Sequence, residues 1–165
     1  MTSIDSRTQI GHVHLTVSDL ERALAFYRDV LGFEVTAYYG REAVFLSAGG
    51  YHHHIGLNTW AGRGAPPPAP GTTGLYHFAI LFPDRRALAD AVRRVLEHGT
   101  RLEGASDHGV SEAIYLRDPD GNGVELYRDR PESEWPRAPD GSLAMYTRPL
   151  DLQDLLSQQS HSSDV

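Results

Sequence analysis

His12-Val-His-Leu-Thr-Val17-Ser-Asp19 and His77-Phe-Ala-Ile-Leu-Phe82-Pro-Asp84 are two copies of one pattern. In each, a histidine enters an apolar, strand-like run and an aspartate follows seven positions on. An apolar stripe at helical period comes next and stops at a glycine, Gly32 or Gly99. A repeated unit that delivers one imidazole per copy is a way of bringing two nitrogen ligands to one metal. A carboxylate, Glu125, stands in a further strand-like run, Val124-Glu-Leu-Tyr127.

Working outward, Ile10 to Val17 alternates, with His12, His14 and Thr16 on one face and Val13, Leu15 and Val17 on the other. Ser18-Asp-Leu-Glu21 has the spacing of a capping box ahead of a helix carrying Leu20, Ala23, Leu24, Phe26, Tyr27, Val30 and Leu31. Strands are expected over Phe33 to Tyr39, Ala43 to Ala48 and His52 to Asn58. Residues 59–74, with Pro66-Pro-Pro68, read as a linker or a loop beside a site. The pattern then repeats. A strand covers Leu75 to Phe82, a helix Asp84 to His98, and three strands lie around Arg101 to Ala105, Ala113 to Arg117 and Gly123 to Tyr127. Asp118-Pro-Asp-Gly-Asn122 makes the turn between the last two. The fold class expected is α+β, a single domain over residues 10–128 made of two βαβββ modules, about 10–58 and 75–128. Beyond Arg128 periodicity is lost. Residues 129–165 form an extension in which Trp135, Leu143 and Tyr146 are expected to pack back, and Ser157 to Val165 to be disordered.

Composition narrows the function. The 165 residues carry 22 acidic and 15 basic side chains, a formal charge of −7, and no basic run that would favour nucleic acid or an anionic membrane. No stretch reads as a signal or a membrane span, so a soluble, cytoplasmic protein is expected. With no cysteine, thiolate chemistry and thiolate metal sites are excluded, and any metal must be held by nitrogen and oxygen. His12, His77 and Glu125 form a set of two imidazoles and one carboxylate, which suits Fe(II) and leaves coordination positions open. Mn(II) accepts the same set. His14 shares a face with His12 and is the competing ligand; the repeat register selects His12. Glu125, between two apolar residues, needs either a solvent-facing side or a partner.

The chain resembles the vicinal oxygen chelate superfamily, and within it the extradiol catechol dioxygenases. The likeness runs over about residues 10 to 136, strongest in His12 to Tyr27 and in Asp118-Pro-Asp-Gly-Asn-Gly-Val-Glu125. It implies paired modules curling into an open barrel around a metal, with His12, His77 and Glu125 as ligands. It further implies a catalytic histidine, His53, matched through His52-His53-His54-Ile-Gly-Leu57, with a one-residue slip to His52 or His54 left open. Tyr115, ten residues before Glu125, and His108, in Asp107-His-Gly-Val-Ser111, match the substrate-facing pair. The implied activity is oxygen-dependent opening of a catechol beside its hydroxylated carbons, giving a semialdehyde. Ring-cleaving relatives carry two module pairs and this chain one. The pocket must then be closed by the tail, by residues 59–74 or by a second subunit, and a homodimer is expected. Two rival readings share the resemblance. Glyoxalase- or epimerase-like members usually add a carboxylate ligand from the last strand of the first module, and His53 to Asn58 contains none. Antibiotic-binding members generally lack the metal triad.

Overall fold

Two aspartates, seven residues after each repeated histidine, start the helices around which the chain is built. In the computed structural model, which describes residues 3–158, Asp19 and Asp84 hold extended backbone and act as N-caps. Asp19 Oδ1 accepts from the Arg22 amide at 2.9 Å and Asp84 Oδ1 from the Ala87 amide at 2.8 Å. The expected cap at Ser18 is therefore displaced by one residue, since a carboxylate also meets the positive end of the helix dipole.

The chain divides between Pro66 and Pro67, inside the Pro-rich segment, into two compact units. The first contains β1 (Val13–Thr16), α1 (Leu20–Leu24), β2 (Glu34–Tyr39), β3 (Ala43–Ser47) and β4 (Ile55–Asn58), with sheet order β1-β4-β3-β2. The second contains β5 (Phe78–Leu81), α2 (Arg85–Glu97), β6 (Leu102–Asp107), β7 (Ser111–Arg117), β8 (Gly123–Asp129), β9 (Arg148–Pro149) and α3 (Leu152–Leu156), in order β5-β8-β7-β6-β9. In both, the first strand pairs in parallel with the fourth, and the remaining pairs are antiparallel. The connection that such parallel neighbours require runs through a helix and the second and third strands. Both sheets are mixed and open, of the α+β class.

Several local expectations need correction; among them, the strand expected from Leu75 starts at Phe78. The first helix is α-helical only over Leu20–Leu24 and then widens over Ala25–Val30, where the Leu31 amide reaches back five residues to the Phe26 carbonyl. The wider turn lets consecutive aromatic residues, Phe26 and Tyr27, both bury, with rings edge to face at 5.0 Å. The strand expected from Ile10 starts at Val13, and the one expected from His52 starts at Ile55. Before Ile55 the side chain of His54 turns inward: its Nδ1 meets Ser47 Oγ at 3.1 Å and the Ala48 amide at 3.3 Å. The His54 backbone still bonds to both neighbouring strands, its amide to the Leu46 carbonyl and its carbonyl to the Val13 amide.

The extension is built into the second unit. Arg148 and Pro149 pair with Asp107 and Ser106, and α3 lies on α2 with Leu155 fully buried. Trp135 Nε1 donates to the Arg130 carbonyl, Tyr146 is half-buried and Leu143 stays exposed. Ser157 closes α3 by donating from Oγ to the Asp154 carbonyl, and Arg93 donates to the carbonyls of Leu156 and Gln158. Residues 159–165, part of the stretch expected to be disordered, lie outside the described residues. Beneath the extension a buried carboxylate, Glu112, accepts from Arg85, Arg128 and Arg130, and Arg85 also reaches Asp154 of α3.

Candidate metal centre and active site

The repeated histidines occupy the same place in both units: His12 is the residue before β1 and His77 the residue before β5. Two positions on, His14 pairs with Gly56 of β4, and Ala79 pairs with Glu125 of β8. Across the neighbouring antiparallel strand, Gly56 faces Phe45 and Glu125 faces Tyr115. The ladders thus equate Glu125 with Gly56 and Tyr115 with Phe45.

In the second unit these positions make a polar row. His77 Nε2 lies 2.9 Å from Glu125 Oε2. The Tyr115 hydroxyl, with one hydrogen to give, lies 3.3 Å from Glu125 Oε1 and 2.8 Å from His108 Nε2. The Glu125 side chain is 12% exposed, so the solvent-facing alternative gives way to a partnered carboxylate. Burial, reinforced by the adjacent Glu125, pushes the Tyr115 phenol up to about 12, which keeps it a hydrogen donor at physiological pH. His77, His108 and Tyr115 line a cavity of about 420 Å³, together with Tyr76, Ser106 and Thr147.

In the first unit His12 is exposed, and its ring lies 4.4 Å from that of His53. His53 also packs at 5.0 Å from Phe45, and its Nδ1 lies 2.7 Å from His52 Nδ1. Burial, then the neighbouring imidazoles led by His12, pulls the His53 imidazole down from its ordinary value. His52 stacks on Tyr51, and His54 is engaged by Ser47. His14 packs between Phe45 and Trp60 and covers Gly56, where a Cβ would sit 2.9 Å from its ring. Burial and His12 also lower its pKa.

Two ligands at right angles, each about 2.1 Å from one ion, are about 3 Å apart. The separation of His77 Nε2 and Glu125 Oε2 fits that spacing. Among the described residues, no three His, Asp or Glu side chains are gathered into a ligand cluster. His77 and Glu125 form a pair. The residues that sequence reasoning missed are Tyr146 and Thr147. The Tyr146 carbonyl and Thr147 Oγ1 lie 3.1 and 3.2 Å from His108 Nδ1. A main-chain contact 38 residues along the chain leaves no signal in a sequence.

A mixed-sheet βαβββ duplication with a histidine before each first strand defines a family. The profile of the Glyoxalase/Bleomycin resistance protein/Dioxygenase superfamily matches residues 9–126, and the chain belongs to that superfamily. It is 46% identical over 158 residues to the catechol-2,3-dioxygenase of Bacillus subtilis (strain 168), covering 96% of this chain and 54% of the relative. It is 36% identical over 121 residues to biphenyl-2,3-diol 1,2-dioxygenase 3 of Rhodococcus globerulus, covering 73% of this chain and 63% of the relative. The chain thus spans between half and two thirds of the length of these relatives. A solved glyoxalase/dioxygenase from Nostoc punctiforme shares the fold, with a TM-score of 0.64 at 19% identity, over 79% of this chain and 99% of that one. Among the described residues no helix is long and apolar enough to cross a membrane.

Proposed function

We propose that the chain is a non-haem, Fe(II)-dependent extradiol dioxygenase, which opens a catechol-type ring with dioxygen to a semialdehyde. The observation that carries the reading is the row His77–Glu125–Tyr115–His108, a histidine–carboxylate pair continued by two hydrogen-bonding groups, with His77, Tyr115 and His108 lining one cavity. His12, His77 and Glu125 would hold the ion, and Mn(II) suits the same donors. When bound, the ion supplies a Lewis-acidic, redox-active centre that acidifies a catechol hydroxyl and relieves the spin barrier to reaction with dioxygen.

The protein groups supply the rest. His53, kept neutral near pH 7 by burial and its imidazole neighbours, takes a catechol proton and later returns it. Its Nδ1 is engaged by His52, so Nε2 is the atom that carries this proton. Tyr115 remains a phenol beside His108 and turns its one hydrogen to a substrate oxygen as charge develops there. The Glu125 carboxylate stands 2.9 Å from His77 Nε2, so the two offer an oxygen and a nitrogen donor to one cation.

The isomerase reading is disfavoured by one feature. The position equivalent to Glu125 in the first unit is Gly56, which offers no carboxylate and is covered by His14. The test is aerobic incubation of iron-loaded protein with a panel of catechols. Yellow product with matching oxygen uptake is expected; isomerase or lyase turnover without oxygen uptake would overturn the proposal.

A further inference from the structure

His108 is gripped from both sides of its ring. At Nε2 it meets the Tyr115 hydroxyl at 2.8 Å; at Nδ1 it meets the Tyr146 carbonyl at 3.1 Å and Thr147 Oγ1 at 3.2 Å. A carbonyl oxygen has no hydrogen to give, so the bond to Tyr146 requires the hydrogen on Nδ1. In a neutral imidazole the other nitrogen then carries only a lone pair. The single hydrogen of Tyr115 therefore goes to His108 at 2.8 Å rather than to Glu125 Oε1 at 3.3 Å. Glu125 Oε1 is left without that hydrogen.

We propose that residues 146 and 147 of the C-terminal extension are positioning residues: they lock His108 in its Nδ1–H tautomer, which aims the Tyr115 hydrogen at His108 and frees Glu125 to bind a cation. The inference deepens the dioxygenase reading and rests on it, because only there do His108 and Tyr115 face substrate.

The extension is fastened beside His108 in several ways. Its strand β9 pairs with the end of β6, one residue before His108. The Tyr146 amide donates to the His108 carbonyl at 3.3 Å, and the Arg148 guanidinium lies 4.1 Å over the Tyr146 ring. Gly109, at φ +78, admits that ring; a Cβ there would sit 2.7 Å from it. Arg130 holds Asp107 at 2.8 Å from the other side. The extension thus acts on the site through His108.

Thr147 is exposed, so substitution there spares the core. Nitrogen-15 long-range correlation spectra of the full metal-free chain, at pH about 8 where imidazole is neutral, read the tautomer directly. In the unaltered chain the His108 hydrogen is expected on Nδ1. Thr147→Val, which keeps shape and removes one acceptor, should shift the tautomer ratio about fivefold towards Nε2–H, the worth of one hydrogen bond. In the iron-loaded protein kcat should fall by a similar factor with KM little changed. Thr147→Ser, which restores the hydroxyl and drops the methyl, should restore both. A hydrogen on Nε2 in the unaltered chain would overturn the proposal, as would a valine variant indistinguishable from the serine one. If the tautomer and its response to Thr147→Val are as expected but no catechol is cleaved, the clamp stands and the dioxygenase reading falls.

Discussion

Strand for strand, β1-β4-β3-β2 of the first unit and β5-β8-β7-β6 of the second follow one plan, yet the same ladder position holds Gly56 in one and Glu125 in the other. The neighbouring position holds Phe45 in the first and Tyr115 in the second. Both units keep the histidine before the first strand and the aspartate cap behind it. The duplicated backbone supplies placement, and divergence at two ladder positions divides the labour. The first unit carries imidazoles and an aromatic wall, whereas the second carries the carboxylate and the phenol. A single carboxylate leaves the proposed ion under-filled, which is what a centre receiving two oxygens of a substrate requires.

The contrast can be broken most severely at Glu125. Glu125→Ala should reduce ring opening to background in an oxygen-uptake assay, because the metal site then loses its anionic ligand. His53→Phe comes next. It should retain iron by elemental analysis and lose about 10²- to 10⁴-fold in kcat, the usual worth of a positioned proton carrier. At the neighbouring ladder position the two units should respond unequally. Tyr115→Phe should cost about 10²-fold in kcat, as for loss of one hydrogen-bond donor to developing charge. Phe45→Tyr, its counterpart, should leave kcat unchanged under the same assay. The smallest effect concerns stability. Gly56→Glu, which would make the units alike, meets the His14 ring at 2.9 Å and should cost about 1–3 kcal/mol in a urea melt. Adding His14→Ala should recover most of that loss.

Much of the architecture could be read from residue order because its signals are local. Asp118-Pro-Asp-Gly-Asn122 folds as the turn its composition demands, with Asp118 Oδ1 accepting from the amides of Asp120 and Asn122. Gly32 and Gly99, at φ 87 and 73, stop the helices. What escaped was decided by tertiary contact. The helical stripe over Leu20 to Leu31 does not show that Phe26 and Tyr27 will widen the backbone to bury together. The two residues of β9 are too few to show an alternation, and their pairing depends on β6. At the site, the repeat singles out His77, a strand-like run holds Glu125 and the family resemblance adds Tyr115; strand register sets Tyr115 opposite Glu125, and His77 reaches the same carboxylate. The contact of His108 with a main-chain carbonyl carries no side-chain signature, so the part of the extension in the site was invisible.

The proposal stands most directly on His12, His77 and Glu125 all being ligands of one ion. Anaerobic titration of the metal-free chain with Fe(II), read by calorimetry, tests that claim when the unaltered chain is set beside His12→Ala and His77→Ala. The account predicts one ion per chain, with tight binding lost equally in both variants. A His12→Ala chain that still binds Fe(II) as tightly as the unaltered one would contradict it.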